Sequence, residues 1–340
     1  MENKPEKSEN GVFGTSQGSE KIQMGEFRRI GVLFAIMILF VIIAGIISRN
    51  FLTFNNIRSI MYQFIPLLLI GVSMFVVMSF GGIDFSIGSL VGLSGVIVGI
   101  FKGSFAGALL ALVIGLLCGC INGLIAVKTP VKAFLVTIAT ATLIRGIAFT
   151  VSGGMSKPFR PNSNYFVYFV IQVLLAVVVV GASCFLLSGN YGIPDKEKTS
   201  VSSSKKDTIS ILSYLLSAFS AVIVGIFLSF RIISGQPAAG DGYEINAIII
   251  AILGGALCGY AAIHIASTII AALLFAIMVN FFVIAGVNLF VQNILKIVVL
   301  FIGLIPFVIK EANAQNGRIA GILSAIGGWI PLGRNRHSAE

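Results

Sequence analysis

Long apolar runs are the feature that most constrains this chain, because they recur along most of its 340 residues. A run of about 20 apolar residues crosses the hydrocarbon core of a bilayer as a helix. Hydrophobic residues make up 57% of the chain and charged residues only 11%, against roughly 25% charged residues in soluble domains. Such a chain cannot cover a water-facing surface with charge. The composition excludes a soluble enzyme, a DNA-binding module and a disordered scaffold, and it predicts an all-α polytopic membrane protein.

The apolar runs predict about ten transmembrane spans. The third run is only 15 residues long, which is too short to cross a bilayer upright, and it follows a glycine-rich break at 81–88. We therefore expect the second and third spans to be interrupted within the membrane. The predicted spans lie at about 30–48, 62–80, 87–101, 105–127, 133–151, 163–187, 208–230, 245–263, 266–287 and 293–310.

The distribution of basic residues predicts the orientation of these spans. With the N-terminus inside, ten spans place fifteen Lys and Arg in the inside segments and six in the outside segments. Basic residues concentrate in the cytoplasmic segments of membrane proteins, so both termini are predicted to be cytoplasmic. The same bias accounts for the net charge of +10 without a nucleic-acid partner.

The segments outside the spans are polar. Residues 1–28 contain no apolar run and are predicted to form a disordered cytoplasmic arm before a transmembrane domain at 29–310. The remaining residues, 311–340, are predicted to be a cytoplasmic tail. Within that tail, apolar residues at helical spacing in 318–331 favour a short helix on the inner leaflet, and an unstructured tail is the alternative.

Motifs for ATP, metal and ion coupling are missing from the sequence. There is no G-x-x-x-x-G-K-[ST] stretch, so the chain is predicted to bind no ATP or other cofactor itself. No metal site is predicted, because the chain has two histidines and because Cys118 and Cys120 would face opposite sides of a helix. Few ionisable residues lie within the spans. Proton or sodium coupling needs such residues to bind the ion, so the sequence does not favour an ion-coupled carrier.

Asp84 is the most informative single residue. A carboxylate within a span is costly unless it is paired or hydrated. Asp84 or Ser86 is expected to cap the helix that begins near Ile87, or Asp84 is expected to line a translocation path or relay a conformational change. Arg145 likewise is expected either to pair with a buried carboxylate or to extend its charge to the interface.

The glycine-rich break also resembles a family signature. Residues 81–89 read GGIDFSIGS and resemble the G-G-x-D-[LF]-S-x-G-S stretch of permease subunits in bacterial ABC importers for simple sugars. The resemblance extends from about residue 30 to 305. Other stretches resemble the same family in the same order: GCINGL at 119–124, FLVT at 134–137, IRG at 144–146, AGDGYEINAI at 239–248 and GG at 254–255.

This resemblance implies a multi-pass permease of the bacterial cytoplasmic membrane that moves a monosaccharide, or a related polar molecule such as a nucleoside, by alternating access. It implies three partners: a cytoplasmic ATPase that uses ATP, a second permease subunit in a hetero- or homodimer, and an extracytoplasmic substrate-binding protein. The residues expected to line or gate the path are Asp84, Phe85, Ser86, Asn122, Thr137, Arg145 and Glu244. The glycines expected to allow close helix packing are Gly81, Gly82, Gly88, Gly254 and Gly255.

One departure from the family concerns ATPase docking. The family carries an E-A-A element in the loop before the seventh span, whereas this chain has a serine- and lysine-rich run at 188–207. Either the altered loop still docks, or a partner permease with an intact element makes most of the ATPase contact in a heterodimer, which we favour. The remaining docking candidates are Gly189, Asn190, Tyr191, Ile193 and Pro194.

Two other functions are compatible with parts of the sequence. A stand-alone channel or facilitator without an ATPase is the first alternative. The second is an intramembrane serine protease, because residues 92–95 read GLSG and would offer Ser94 as nucleophile and His264 as base. So short a match is common in glycine-rich helices, and we favour a helix-packing role for Ser94.

Overall fold

The computed structural model describes residues 14–161, 165–188, 203–257 and 265–314, which are almost entirely helical. These residues form ten helices and one pair of very short antiparallel strands. The helices are α1 (Gly14–Ile47), α2 (Phe54–Ser79), α3 (Ile87–Ile100), α4 (Phe105–Lys128), α5 (Ala133–Ser152), α6 (Tyr165–Ser188), α7 (Ser203–Ile232), α8 (Tyr243–Gly254), α9 (Ile265–Ile284) and α10 (Leu289–Ala314). The strands are β1 (Lys157–Pro158) and β2 (Ser234–Gly235).

The prediction of an all-α polytopic membrane protein is confirmed. Within the described ranges, seven helices are long and apolar enough to cross a membrane. The shorter apolar helices are α3, α8 and the Leu289–Ile305 part of α10. At 14 and 12 residues, α3 and α8 would extend only about 21 and 18 Å. Two of the ten helices are therefore too short to cross a bilayer by themselves, namely the predicted short helix α3 and also α8.

Several predicted boundaries differ from the structure, and the second helix begins at Phe54 rather than near 62. The span expected at 245–263 ends at Gly254, because Gly255 adopts a left-handed φ of 105° and its N–H bonds back to the last turn. The N-terminal segment expected to be disordered is helical from Gly14. Extending an existing helix costs little, and several polar residues in this segment are good helix formers. The ATPase-docking candidates at 189–194, His264 and the tail helix predicted at 318–331 lie outside the described residues.

The centre of the bundle is formed by α2, α3, α7, α8 and α9. In α2 every residue from Ile65 to Ser79 is buried. Helix α2 packs against α8 and α9, while α7 packs against α3 and α4. Helix α2, from the first half of the chain, therefore contacts the short helix α8 and the span after it. Helix α7, from the second half, contacts the short helix α3 and the span after it. Helices α1, α4, α5, α6 and α10 surround this centre and expose many large apolar side chains, as expected of a surface that faces lipid.

Glycines on α4 allow its close approach to α7. A Cβ atom placed on Gly119 would lie 2.5 Å from the Cβ of Ala218 and 3.0 Å from the Tyr214 carbonyl oxygen. Gly115 and Gly123, one turn to either side, meet α7 in the same way. Small residues at four-residue spacing bring membrane helices into backbone contact, so this row fixes α4 against α7.

Contacts at the two ends of α7 define opposite faces of the bundle. Near its start, Lys128 of α4 forms a 2.6 Å ion pair with Asp207. Beyond its end, β2 pairs with β1 and lies close to Gly99 of α3. Helix α3 therefore begins in the interior and ends at the β1–β2 face, so that its N-terminus points toward the middle of the bundle.

Candidate functional site

The break between α2 and α3 lies inside the bundle. Gly82 contacts the Tyr214 side chain, and Asp84 contacts Ser217 at the midpoint of the 30-residue α7. Gly81, expected to serve helix packing, instead has open space around its Cα and a left-handed φ of 82°. This glycine is needed for the turn that ends α2, not for close contact.

Asp84 is fully buried, and both of its carboxylate oxygens accept hydrogen bonds. Oδ1 accepts from the Ser86 backbone N–H at 2.9 Å and from the Ser86 hydroxyl at 2.6 Å. Oδ2 accepts from the Ser217 hydroxyl at 2.7 Å. Three charge-assisted donors satisfy a carboxylate that would otherwise be very costly at this depth.

A chain of polar side chains extends this network to α4 and α5. The Asn122 amide donates to the Ser86 hydroxyl at 3.1 Å, and the Thr140 hydroxyl donates to Asn122 Oδ1 at 2.7 Å. Beside them, the Thr137 hydroxyl donates to the Ile83 carbonyl at 3.0 Å. The network thus joins the break to α4, α5 and α7 through partners that are far apart in the sequence.

The geometry separates the two roles considered for Asp84. Ser86 is the N-cap residue of α3 but makes no side-chain cap bond, whereas Asp84 accepts the N–H just before the first helical residue. Asp84, Ser86, Asn122 and Thr137 are fully buried in the single chain. Phe85 is half-buried. The Asp84 network holds four elements together at the start of α3.

Arg145 lies in a second cluster of charges, between α5 and the start of α8. Its Nη1 is 2.8 Å from Asp241 Oδ1, and its Nη2 is 3.8 Å from Glu244 Oε1. The other oxygen of Glu244 is buried beside Gly88 and has no hydrogen-bond partner among the described residues. Arg145 therefore pairs with carboxylates, but the one that it contacts most closely, Asp241, is half exposed rather than buried.

The starts of the two half-length helices meet near this cluster. Gly88 of α3 and Gly240, just before α8, are in backbone contact. Each start carries a carboxylate: Asp84 precedes α3, and Glu244 lies in the first turn of α8. Negative charge is favourable at a helix N-terminus because the peptide dipoles present their positive end there. Gly254, at the end of α8, packs against Thr268 of α9.

A shallow groove follows the exposed face of α5. Gly146 lies in this groove and has nothing within 4 Å of its Cβ position. Hydroxyl groups of Thr142 and Thr150 alternate there with apolar side chains, which gives the face a mixed character. The groove is lined by Ala139, Thr142, Leu143, Gly146, Ile147, Thr150 and Val151.

Sequence reasoning did not single out Ser217, Thr140 or Asp241 as site residues. A signal for Ser217 was present, because Ser213, Ser217 and Ser220 follow one face of α7 at helical spacing and are fully buried. In the described parts of the chain, no cluster of three His, Cys, Asp or Glu could hold a metal ion. Ser94 donates to the Leu90 carbonyl at 2.6 Å and packs against Gly225, as expected of a helix-packing serine.

Comparisons with known proteins identify the family of the chain. A family model described as "branched-chain amino acid transport system / permease component" matches residues 56–305. The ribose import permease protein of Escherichia coli K12 is 31% identical over 294 residues, which cover 80% of this chain and 91% of that relative. The corresponding protein of Bacillus subtilis 168 is 28% identical over 306 residues, covering 83% and 93%.

A second sugar system is also represented among the relatives. The L-arabinose transport system permease protein of E. coli K12 is 27% identical over 247 residues, covering 66% of this chain and 74% of that relative. No solved structure matches the chain significantly. The resemblance stated from the sequence motifs is confirmed.

Proposed function

The chain belongs to this family of transport-system permease components, and we propose that it is the membrane subunit of an ATP-binding-cassette importer for a monosaccharide or a related polar molecule. The observation that carries the proposal is the assembly of the family-like motifs into one interior structure. The GGIDFSIGS break, Asn122 of α4 and the FLVT stretch of α5 are distant in the sequence, yet they share one hydrogen-bond network. The ribose and arabinose names of the relatives support a sugar as substrate.

In this proposal the path for the substrate runs between two permease subunits, along the groove of α5. Thr142 and Thr150 line this groove, the Thr142 hydroxyl donates to the Ile138 carbonyl and keeps its oxygen as an acceptor, and Gly146 has open space beside it. A sugar needs hydrogen-bonding groups along its path but no fixed charge, and this face offers such groups without an ionised side chain. The Asp84 network would then hold α5 against α3 and α4 behind the path.

The partners are part of the proposal. The sequence has no phosphate-binding loop, so ATP would be used by a separate cytoplasmic ATPase. An extracytoplasmic binding protein would deliver the substrate. Both termini would be cytoplasmic, which places the Lys128–Asp207 end of the bundle inside and the β1–β2 end outside the cell membrane.

The altered loop before α7 supports a heterodimer. Residues 188–207 hold four lysines and three acids around a serine- and threonine-rich stretch, which offers little apolar surface for docking. A second permease with an intact docking element would then carry most of the contact with the ATPase. Deletion of 195–202 here is expected to preserve coupling of hydrolysis to transport, whereas alteration of the partner's loop abolishes it. Substrate-stimulated hydrolysis by a homodimer of this chain would contradict the heterodimer.

Uptake into proteoliposomes tests the function. The chain would be purified together with its ATPase and second permease, and uptake of labelled ribose, arabinose, allose and a nucleoside would be measured with the binding protein outside. We expect accumulation against a gradient that requires ATP on the opposite side. Equilibration of substrate without ATP would instead support a stand-alone facilitator. The observation that favours this alternative is the lack of the family's E-A-A docking element in the sequence.

A further inference from the structure

Arg145 faces two carboxylates whose surroundings differ. Its short contact, 2.8 Å, is to Asp241, whose side chain is 52% exposed, and its long contact, 3.8 Å, is to Glu244, whose side chain is 19% exposed. The guanidinium thus makes its closer ion pair with the acid that water can reach. The acid that water hardly reaches has the weaker pair.

Glu244 is the carboxylate with the greater need for a partner. Its Oε2 is buried beside Gly88 and accepts no hydrogen bond within the described part of the chain. A buried charge that lacks a close partner is strongly unfavourable. Asp241, in contrast, would remain hydrated without Arg145. Transfer of the guanidinium from Asp241 to Glu244 therefore loses an exposed pair and completes a buried one.

The backbone between the two acids permits such a transfer. Gly242 separates Asp241 from the first turn of α8, has a left-handed φ of 82°, and has open space around its Cα. Arg145 already lies within ion-pair distance of both acids, 2.8 Å from Asp241 Oδ1 and 3.8 Å from Glu244 Oε1, so a small displacement is enough to change its closer partner. Shifts of about 1–2 Å between packed helices are a known means of switching between two discrete arrangements.

We infer that Arg145 exchanges between Asp241 and Glu244 during the transport cycle, so that the two acids hold α5 in two alternative positions against the start of α8. The inference rests on the proposed transport function. The residue after Arg145 is Gly146, which lines the α5 groove. A shift of α5 that changes the partner of Arg145 would therefore move the face along which the substrate is proposed to pass. Arg145, Asp241 and Glu244 are positioning residues in this scheme.

Neutral isosteric variants give the first test, in the complete importer with its ATPase. Asp241→Asn and Glu244→Gln each remove one charge and keep the shape of the side chain. We expect each to reduce transport about tenfold or more, because each removes the partner of Arg145 in one of the two arrangements. The amount of protein in the membrane should stay the same, and hydrolysis per transported molecule should rise. Arg58→Gln, which removes an exposed charge in α2, is the matched control and should transport normally.

Charge reversal separates exchange from a fixed ion pair. Arg145→Glu combined with Asp241→Arg alone, or with Glu244→Arg alone, should leave transport impaired, because each double variant restores one arrangement only. The triple variant with both reversed acids should recover transport. Recovery by the Asp241→Arg double variant alone, or normal transport by Glu244→Gln, would overturn the exchange. Failure of the unaltered chain to support ATP-dependent uptake would instead count against the proposed function.

Discussion

The Ser217 hydroxyl donates a 2.7 Å hydrogen bond to Oδ2 of Asp84, a residue 133 positions away in the sequence. The bond joins the midpoint of α7 to the break before α3, and both groups are buried. Among the described residues Asp84 is the one fully buried aspartate, and a helix from the other half of the chain supplies one of its hydrogen-bond donors.

Replacing Asp84 tests whether its charge or its hydrogen bonds matter. Asp84→Asn keeps one acceptor oxygen for Ser86 and turns an amide toward Ser217, whose hydroxyl can accept, so we expect nearly normal assembly and transport. Asp84→Leu removes all three bonds and leaves the donor groups of Ser86 and Ser217 without an acceptor, at about 1–3 kcal/mol for each buried group. Protein abundance, thermal unfolding in detergent and uptake are the measurements. Normal assembly of Asp84→Asn without transport would show that the charge itself is used.

Ser217→Ala has a matched control on the same helix. Ser217→Ala leaves Asp84 Oδ2 without a partner and should cost about 1–3 kcal/mol of stability. Ser213, one turn away, is also buried but donates only to the Ser210 carbonyl of its own helix. Ser213→Ala should therefore change the unfolding temperature much less. Equal effects of the two variants would argue against a special role for the Asp84 bond.

The glycine row of α4 predicts a difference between two alanine substitutions. Gly119→Ala places a methyl group 2.5 Å from the Cβ of Ala218 and should destabilise the protein by about 1–3 kcal/mol through overpacking. Gly181→Ala in α6 has open space and should be neutral or stabilise by up to about 1 kcal/mol through helix propensity. Thermal unfolding of the purified protein measures both. A stable Gly119→Ala variant would mean that α4 and α7 are less closely packed.

Cysteine labelling tests the orientation. Lys205 lies in the first turn of α7, and Lys157 lies in β1, which pairs with the strand after α7. In a background without the native cysteines, Lys205→Cys should label only from the cytoplasmic side and Lys157→Cys only from outside. Labelling of both from one side would contradict the predicted spans. Labelling from opposite sides in the reverse sense would contradict only the orientation that the basic residues predict.

The ion pair at the start of α7 predicts a salt-sensitive contact. Lys128 and Asp207 are 2.6 Å apart, with exposed side-chain fractions of 55% and 31%, so their pair should contribute less than about 1 kcal/mol. Asp207→Asn should lower the unfolding temperature slightly in low salt, and the difference should vanish near 1 M salt because screening removes it. A large effect that persists in high salt would mean that Asp207 has a further role in folding.

The sequence by itself determined the class of fold and most helix positions. Apolar runs of membrane length, the short third run and the glycine-rich break are local properties, and from α3 onward the helices of the structure begin within about five residues of the predicted spans. The predicted end of α8 was wrong because Gly254 and Gly255 stand in an apolar run that does not itself reveal a left-handed turn. The residues quoted for the family resemblance also proved sufficient to identify the family.

Only the tertiary structure decided which side chains meet. Asp84 and Arg145 were recognisable as costly charges, yet their partners Ser217 and Asp241 lie on elements far away in the sequence. Serine and aspartate are compatible with many roles in a membrane helix. Which helices pack together depends on close contacts such as Gly119 against Ala218, and each such contact combines residues from two distant segments. Hydropathy along a single segment predicts that a buried charge needs a partner, but it carries no information on which distant helix supplies one.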